Sequence, residues 1–233
     1  GLEFHRANAD FTAGGVAVKA GDYIVRGDQP YRTMADMYFS LQSFSVANPR
    51  PYDDTGWTYQ LMRNVELKLV GDKAILDQPM TMITADVKAA GGVEGNGATI
   101  VVSNSSDNNL MAFRYKFSKV KMSAAEEEFE VQGRKFAAGS FVIPQAAANR
   151  AALDAALKDY GLTAVATDAA LTVKQHDLDI PRIGYVHSWA NTQNEGWVRA
   201  ALDTYGIPYT YFADQKLKTE TNLRSKYDVI IFP

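Results

Sequence analysis

The 233-residue sequence contains no cysteine. That removes disulfides, thiolate nucleophiles and thiolate metal sites together. It also lacks long apolar runs: none approaches the ~20 residues that a membrane-spanning helix needs, so no membrane partner is expected. There is no GxGxxG and no Walker-type lysine, which leaves a nucleotide phosphate without its usual backbone cradle. Basic residues are few and scattered. The 24 Lys and Arg against 27 Asp and Glu give a net charge of −3, and a nucleic-acid partner, which needs a basic face, is not expected.

Only three histidines occur, His5, His176 and His187. None has a second His or a Glu three or four residues away, so no HxxE or HExxH spacing sets two ligands on one face. No metal or other cofactor is therefore expected in this chain. A nucleophilic site is not expected either: Ser188 follows His187 directly, adjacent residues rarely point at each other, and no GxSxG elbow is present. The acid pair Asp53–Asp54 could divide general acid and base work, but Pro49, Pro51 and Gly56 around it favour an Asx turn or a helix cap.

What is present is ordinary for a globular protein: 46% hydrophobic and 22% charged residues. The opening GLEFHRANADF reads as a strand with no signal-peptide pattern, and the closing YDVIIFP reads as a buried strand. Both ends thus look like cuts through a longer protein. AVKAGDYIV reads as a hairpin turning at KAGD, and QPYRTMADMYFSLQSF (29–44) as a helix burying Met34, Met37, Tyr38, Leu41 and Phe44. A Pro-rich loop and a short helix follow over 47–65. Short strands are expected in ELKLVG, ATIVVSN, MAFRYKFSKV and EEFEVQG, with 88–100 a mobile glycine-rich loop. RYKFSKVK and AEEEFE would face each other as oppositely charged hairpin strands.

GRKFAAGSFVIP then reads as a second hairpin, followed by a helix ending at Gly161. Aligning AGDYIV (20–25) with AGSFVI (138–143) puts Arg32 on Arg150 and Asp36 on Asp154. A hairpin–helix unit therefore recurs at a spacing of 118 residues, by duplication or by convergence on a common pattern. From Arg182 onward the pattern changes to βαβαβ: RIGYVH, a helix with Trp197, Val198, Ala201 and Leu202 as its buried face, YTYFAD, a short helix, then DVIIFP. That order implies a parallel sheet with right-handed crossovers. The fold class expected is α+β for residues 1–180 and α/β for 181–233, the latter as the first half of a flavodoxin-like parallel sheet.

In such a sheet, ligands bind at the carboxyl ends of strands. HSWANTQNEG stands there, and His187, Ser188, Asn191, Gln193 and Glu195 are the candidate ligand-binding residues. The competing reading is local: Thr192 or Asn194 caps the helix, Glu195 sits at its positive end, and Trp189 and Trp197 pack.

AGDYIVRGDQPYRTMADMYFSLQ, NPRPYDDTGWTYQL and PRIGYVHSWANTQNEGWVRAALDTYGIPYTYF resemble the region that follows the catalytic domain in large bacterial zinc carboxypeptidases of the M14 peptidase family. The resemblance implies a peptidase domain of the same polypeptide as partner, zinc held in that domain, and a closing domain similar to class I glutamine amidotransferases. It implies a periplasmic or secreted protein. No zinc-binding or catalytic residue of the family has a matching position here, so this chain is expected to be a non-catalytic accessory segment that supports the peptidase domain or its peptide substrate. Arg32 and Trp57 are its candidate interdomain residues. The alternative is a small-molecule-binding module using the 187–195 loop, and a third reading is an independent hydrolase using Asp53, Asp54 or Glu195.

Overall fold

The computed structural model describes residues 1–41, 45–49, 59–144, 149–190 and 192–233. It is a mixed α/β chain that divides into two compact units, Gly1–Val87 and Lys88–Pro233. The change of pattern expected after residue 180 lies inside the second unit. No helix among the described residues is long and apolar enough to cross a membrane.

The first unit runs β1 (Phe4–Ala7), β2 (Phe11–Ala13), β3 (Val16–Val18), β4 (Tyr23–Val25), α1 (Arg32–Phe39), α2 (Tyr59–Met62), a 3-10 turn at Lys73–Asp77 and β5 (Met80–Met82). Its sheet has the order β4-β1-β5, and β2 pairs with β3 as a separate ribbon. KAGD does form a turn, with the Asp22 N–H donating to the Lys19 carbonyl. The strands on either side of it do not pair with each other, however. β3 turns back on β2, and β4 is captured by β1, opposite His5 and Arg6. Helix α1 buries only Ala35, while Met34, Met37 and Leu41 are exposed. Its expected apolar face is therefore largely open, and Phe44 lies outside the described residues. The ELKLVG segment makes no ladder.

The second unit begins with β6 (Gly92–Glu94), β7 (Thr99–Val102), α3 (Asn109–Lys116), β8 (Ser123–Ala125), β9 (Phe129–Val131), β10 (Arg134–Phe136), β11 (Phe141–Ile143), α4 (Arg150–Tyr160), β12 (Thr163–Thr167) and β13 (Gln175–Asp177). Six of these strands form one sheet, β13-β8-β11-β7-β12-β6, antiparallel except for the β12–β6 pair. Ile100, Val102, Phe113, Ile143, Leu153 and Leu157 make its main core. Each such side chain contributes about 1.5–3 kcal/mol on burial.

Three sequence expectations fail here. The glycine-rich 88–100 stretch carries β6, and the glycine at 97 lets two chain segments cross: a Cβ there would stand 2.2 Å from the Thr167 carbonyl carbon. MAFRYKFSKV is mostly helix, not strand. The Asp107 carboxylate accepts from the Asn109 N–H at 2.8 Å and opens α3. Leu110, Phe113 and Phe117 then fall at helical spacing on the core side. The charged hairpin expected from RYKFSKVK does not exist either. Its Arg114 turns inward and donates to the carbonyls of Leu178 and Phe117, where burial lowers its pKa.

The recurrence read at 118 residues is present in the hydrogen-bonded registers. Phe11 opposes Val18 as Phe129 opposes Phe136, and His5 opposes Ile24 as Ser123 opposes Val142. The connecting bonds recur too: Ala7 N–H to Asp22 O and Gly21 N–H to Ala7 O in one copy, Ala125 N–H to Ser140 O and Gly139 N–H to Ala125 O in the other. The AAGS turn is thus the twin of KAGD, and here again the flanking strands pair elsewhere. A last strand closes each copy, β5 on β1 and β13 on β8.

The chain ends with β14 (Ile183–His187), α5 (Thr192–Thr204), β15 (Thr210–Ala213), α6 (Gln215–Thr219), α7 (Leu223–Lys226) and β16 (Val229–Ile231). The strands are all parallel, in the order β15-β14-β16. Val186 and Phe212 face Tyr227, Leu217 and Leu223 on one side. The opposite side, toward α5, is built differently.

Candidate functional site

Strand alternation sends Tyr185 and His187 to the α5 side of the sheet, and parallel pairing sets Tyr211 beside Tyr185. Helix α5 meets them with polar side chains. Trp197, expected inside, is 71% exposed, and Ala201 is exposed as well, whereas Glu195 is only 5% exposed. The reason is the chemistry of the sheet face. Tyrosine rings supply apolar bodies with hydroxyl tips, and these are matched by a carboxylate and a guanidinium at the helical spacing of Glu195 and Arg199.

Glu195 is the centre of this network. One carboxylate oxygen accepts from the Tyr211 hydroxyl. The other lies 2.5 Å from His187 Nδ1. Arg199 approaches the first oxygen at 3.8 Å and lies over the Tyr211 ring, 4.4 Å from its centroid. The Tyr185 hydroxyl donates to the Glu195 backbone carbonyl at 2.8 Å. The Tyr211 hydroxyl, followed by His187, holds the Glu195 carboxyl below the usual carboxylate range, and the same bond raises the Tyr211 phenol. Glu195 also lies in the first turn of α5, where the helix dipole favours its charge. With Glu195 ionised, His187 Nδ1 is the donor, so Nε2 is the ring's acceptor in the neutral form. The Trp189 ring packs edge-on against the imidazole at 4.5 Å.

An imidazole oriented by a carboxylate is half of a nucleophile-activating pair. Ser188 does not supply the other half: its hydroxyl accepts from the Ala190 N–H in a local turn. Gln193 lines a shallow, open depression with Ala190, Thr192 and Asn194, about 280 Å³ in size. That falls below the range of pockets that enclose a drug-sized ligand. The structure therefore brings His187 and Glu195 together, and among the described residues no hydrogen bond joins Ser188 or Gln193 to either. Asn191, Trp57, Asp53 and Asp54 lie outside the described residues. Arg32 is an exposed residue of α1 whose guanidinium stands 3.5 Å from Asp36.

Tyr211, Arg199 and Asp214 went unnoticed in the sequence. Asp214 follows β15, its N–H donates to the His187 carbonyl at 3.1 Å, and its Oδ1 is buried without a partner among the described residues. The Glu195–Arg199 spacing was legible; the tyrosines needed the strand register. As for zinc, no three His, Asp or Glu side chains among the described residues converge as ligands. His176 pairs instead with Glu126 at 3.4 Å.

No family model matches the chain, and no curated protein and no solved structure matches it either.

Proposed function

We propose that this chain is a non-catalytic accessory segment of a periplasmic or secreted zinc-carboxypeptidase-like protein, one that docks against the peptidase domain of the same polypeptide and supports its work on peptides. The observation that carries this reading is an exposed apolar run in the first unit. Leu61, Met62, Val65, Leu67 and Leu69 all face solvent, Leu69 at 91%, and such a concentration marks a surface that another body covers. The Glu195 network supports the non-catalytic part, because both oxygens of that carboxylate are engaged in holding α5 to its sheet.

The test uses the purified chain with added zinc, alone and together with the peptidase domain, against peptides of varied C-terminal residue. Amino-acid release is followed by mass spectrometry. The chain alone is expected to release nothing. It is expected to bind the peptidase domain, and Leu61→Asp with Leu69→Asp is expected to abolish that binding. Chelator-sensitive release by the chain alone, or no binding, overturns the reading.

A second reading, small-molecule binding by the 187–195 loop, is favoured by the depression beside Gln193 and the unpartnered Asp214 Oδ1. Saturable quenching of Trp189 fluorescence by small polar metabolites would select it over docking.

A further inference from the structure

The two copies of the hairpin–helix frame differ in one respect that bears on binding. In the second copy, β11 is paired on both sides, with β8 on one edge and β7 on the other. In the first copy, the equivalent strand β4 is paired only with β1 among the described residues. The register identifies which of its backbone groups are left over. The Ala7 N–H donates to the Asp22 carbonyl in the ladder, so by antiparallel alternation His5 and Ile24 also bond to each other, while Tyr23 and Val25 turn their N–H and C=O groups outward. In the second copy the equivalent residues are Phe141 and Ile143, which stand opposite Val102 and Ile100 of β7.

The side chains tell the same story. Phe141 and Ile143 are buried, Ile143 completely, whereas Tyr23 is 53% exposed and Val25 is only partly covered. Helix α1 also carries two polar groups whose twins on α4 hold a strand. Arg150 donates to the Gly95 carbonyl and Asp154 accepts from the Val93 N–H, gripping the backbone of β6 from both polarities. Arg32 and Asp36, at the matching positions, are exposed and face each other. In the twin sheet β6 lies two strands beyond β7, so this difference concerns the outer strands, while the outward groups of Tyr23 and Val25 mark the edge of β4 itself, which carries no strand among the described residues.

We propose that the open edge of β4 is a strand-addition site. It takes one extended, uncharged segment of a partner polypeptide, rich in Val, Ile and Thr and antiparallel to β4, in the place that β7 holds beside β11. Main-chain bonds to Tyr23 and Val25 supply the affinity, and the apolar side chains facing α1 supply the selectivity, as in other strand-addition modes. The chemistry of the occupant is read from β7 itself, Thr-Ile-Val-Val, the strand that closes the twin edge. This site is separate from the exposed run at Leu61–Leu69 and stands whether or not the partner is a peptidase domain.

The experiment uses the whole chain and, as probe, a synthetic peptide of the chain's own residues 97–104, GATIVVSN. Backbone amide exchange is followed residue by residue. The peptide is expected to slow exchange at Tyr23 and Val25 by at least about tenfold, while Ile24, already bonded to β1, changes little. A control peptide with both valines replaced by lysine is expected to protect neither residue. Val25→Pro removes an outward N–H without touching a bond to β1, a position where an edge strand accepts proline. It is expected to keep the circular dichroism of the parent and to lose peptide protection at Tyr23. Unchanged exchange at Tyr23 and Val25 at the highest soluble peptide concentration overturns the proposal. So does protection of both amides in the free chain with a sedimenting dimer, which would make a second copy the occupant.

Discussion

Replacing Gly97 with alanine tests a close backbone approach in the second unit. Gly97 has φ +151°, where an L-residue is strained, and an added Cβ would meet the carbonyl carbon, Cα and carbonyl oxygen of Thr167 at 2.2–2.5 Å. All three are backbone atoms at the end of β12, so no side chain can swing away. Strain at such a φ costs about 1–3 kcal/mol, and forcing extra volume into a packed crossing adds about 1–3 kcal/mol. The expected loss is therefore about 2–6 kcal/mol, a large share of the stability of an ordinary domain. Gly133→Ala isolates the first term, since its φ is +77° but nothing lies within 4 Å of the added carbon. It is expected to cost roughly 1–2 kcal/mol. Gly196→Ala lies inside helix α5 with open space around it, and there alanine is expected to stabilise by about 0.5–1 kcal/mol. Urea titrations followed by circular dichroism give all three values with a common slope. If Gly97→Ala falls within the range of Gly133→Ala, the crossing at Thr167 is not as tight in solution as its geometry requires, and the argument fails.

Two further outcomes concern pH. The Tyr211 hydroxyl is the largest influence holding the Glu195 carboxyl down. Its lowered folded-state pKa contributes stability above the ordinary carboxylate range, lost as pH falls below about 4.5. Tyr211→Phe is expected to raise the Glu195 titration midpoint by NMR and to flatten that acid-side loss; an unmoved midpoint would show that the hydroxyl is not the controlling partner. Asp228 is held well below its ordinary value by the Arg182 side chain, which reaches both of its oxygens at 2.9 Å, and by the Arg182 N–H. Asp228→Asn is expected to be less stable than the parent at pH 7, with the gap narrowing below about pH 4. A gap that is the same at both pH values would remove Asp228 from the acid transition.

How much of this was legible in the sequence varied with the kind of signal. The βαβαβ order after Arg182 and the helix end at Gly161 are local patterns, and they were readable as such. Helix α3 was misread because Phe113, Tyr115 and Phe117 alternate like a strand, while the deciding Asx turn sits at Asp107, ahead of the run. The inward face of α5 was misread for the opposite reason. Apolar spacing pointed to Trp197 and Ala201, but the sheet presents tyrosine and histidine, so the helix buries Glu195. His187 and Glu195 could be named as candidates from their place at a strand end. Tyr211 could not, since only the Tyr185–Tyr211 register brings it to the carboxylate. The recurrence was visible as a similarity of short strings. What it meant for pairing was not, because strands that flank the same turn pair with different neighbours.

Two interchangeable ladders in one chain also create a hazard during folding, since β1 presents to β11 the same register that β8 does. The wrong pairing would satisfy the backbone equally well, and only side chains can forbid it. Position 6 does so. Its twin, Ala124, is 5% exposed and lies opposite Phe141, so the exchanged strand would carry the Arg6 guanidinium into a site shaped for a methyl group. Burying that charge without a partner costs several kcal/mol. The small, uncharged Ser123 and Ala124 of β8 stand where β1 carries His5 and Arg6, a difference that disfavours the exchanged pairing.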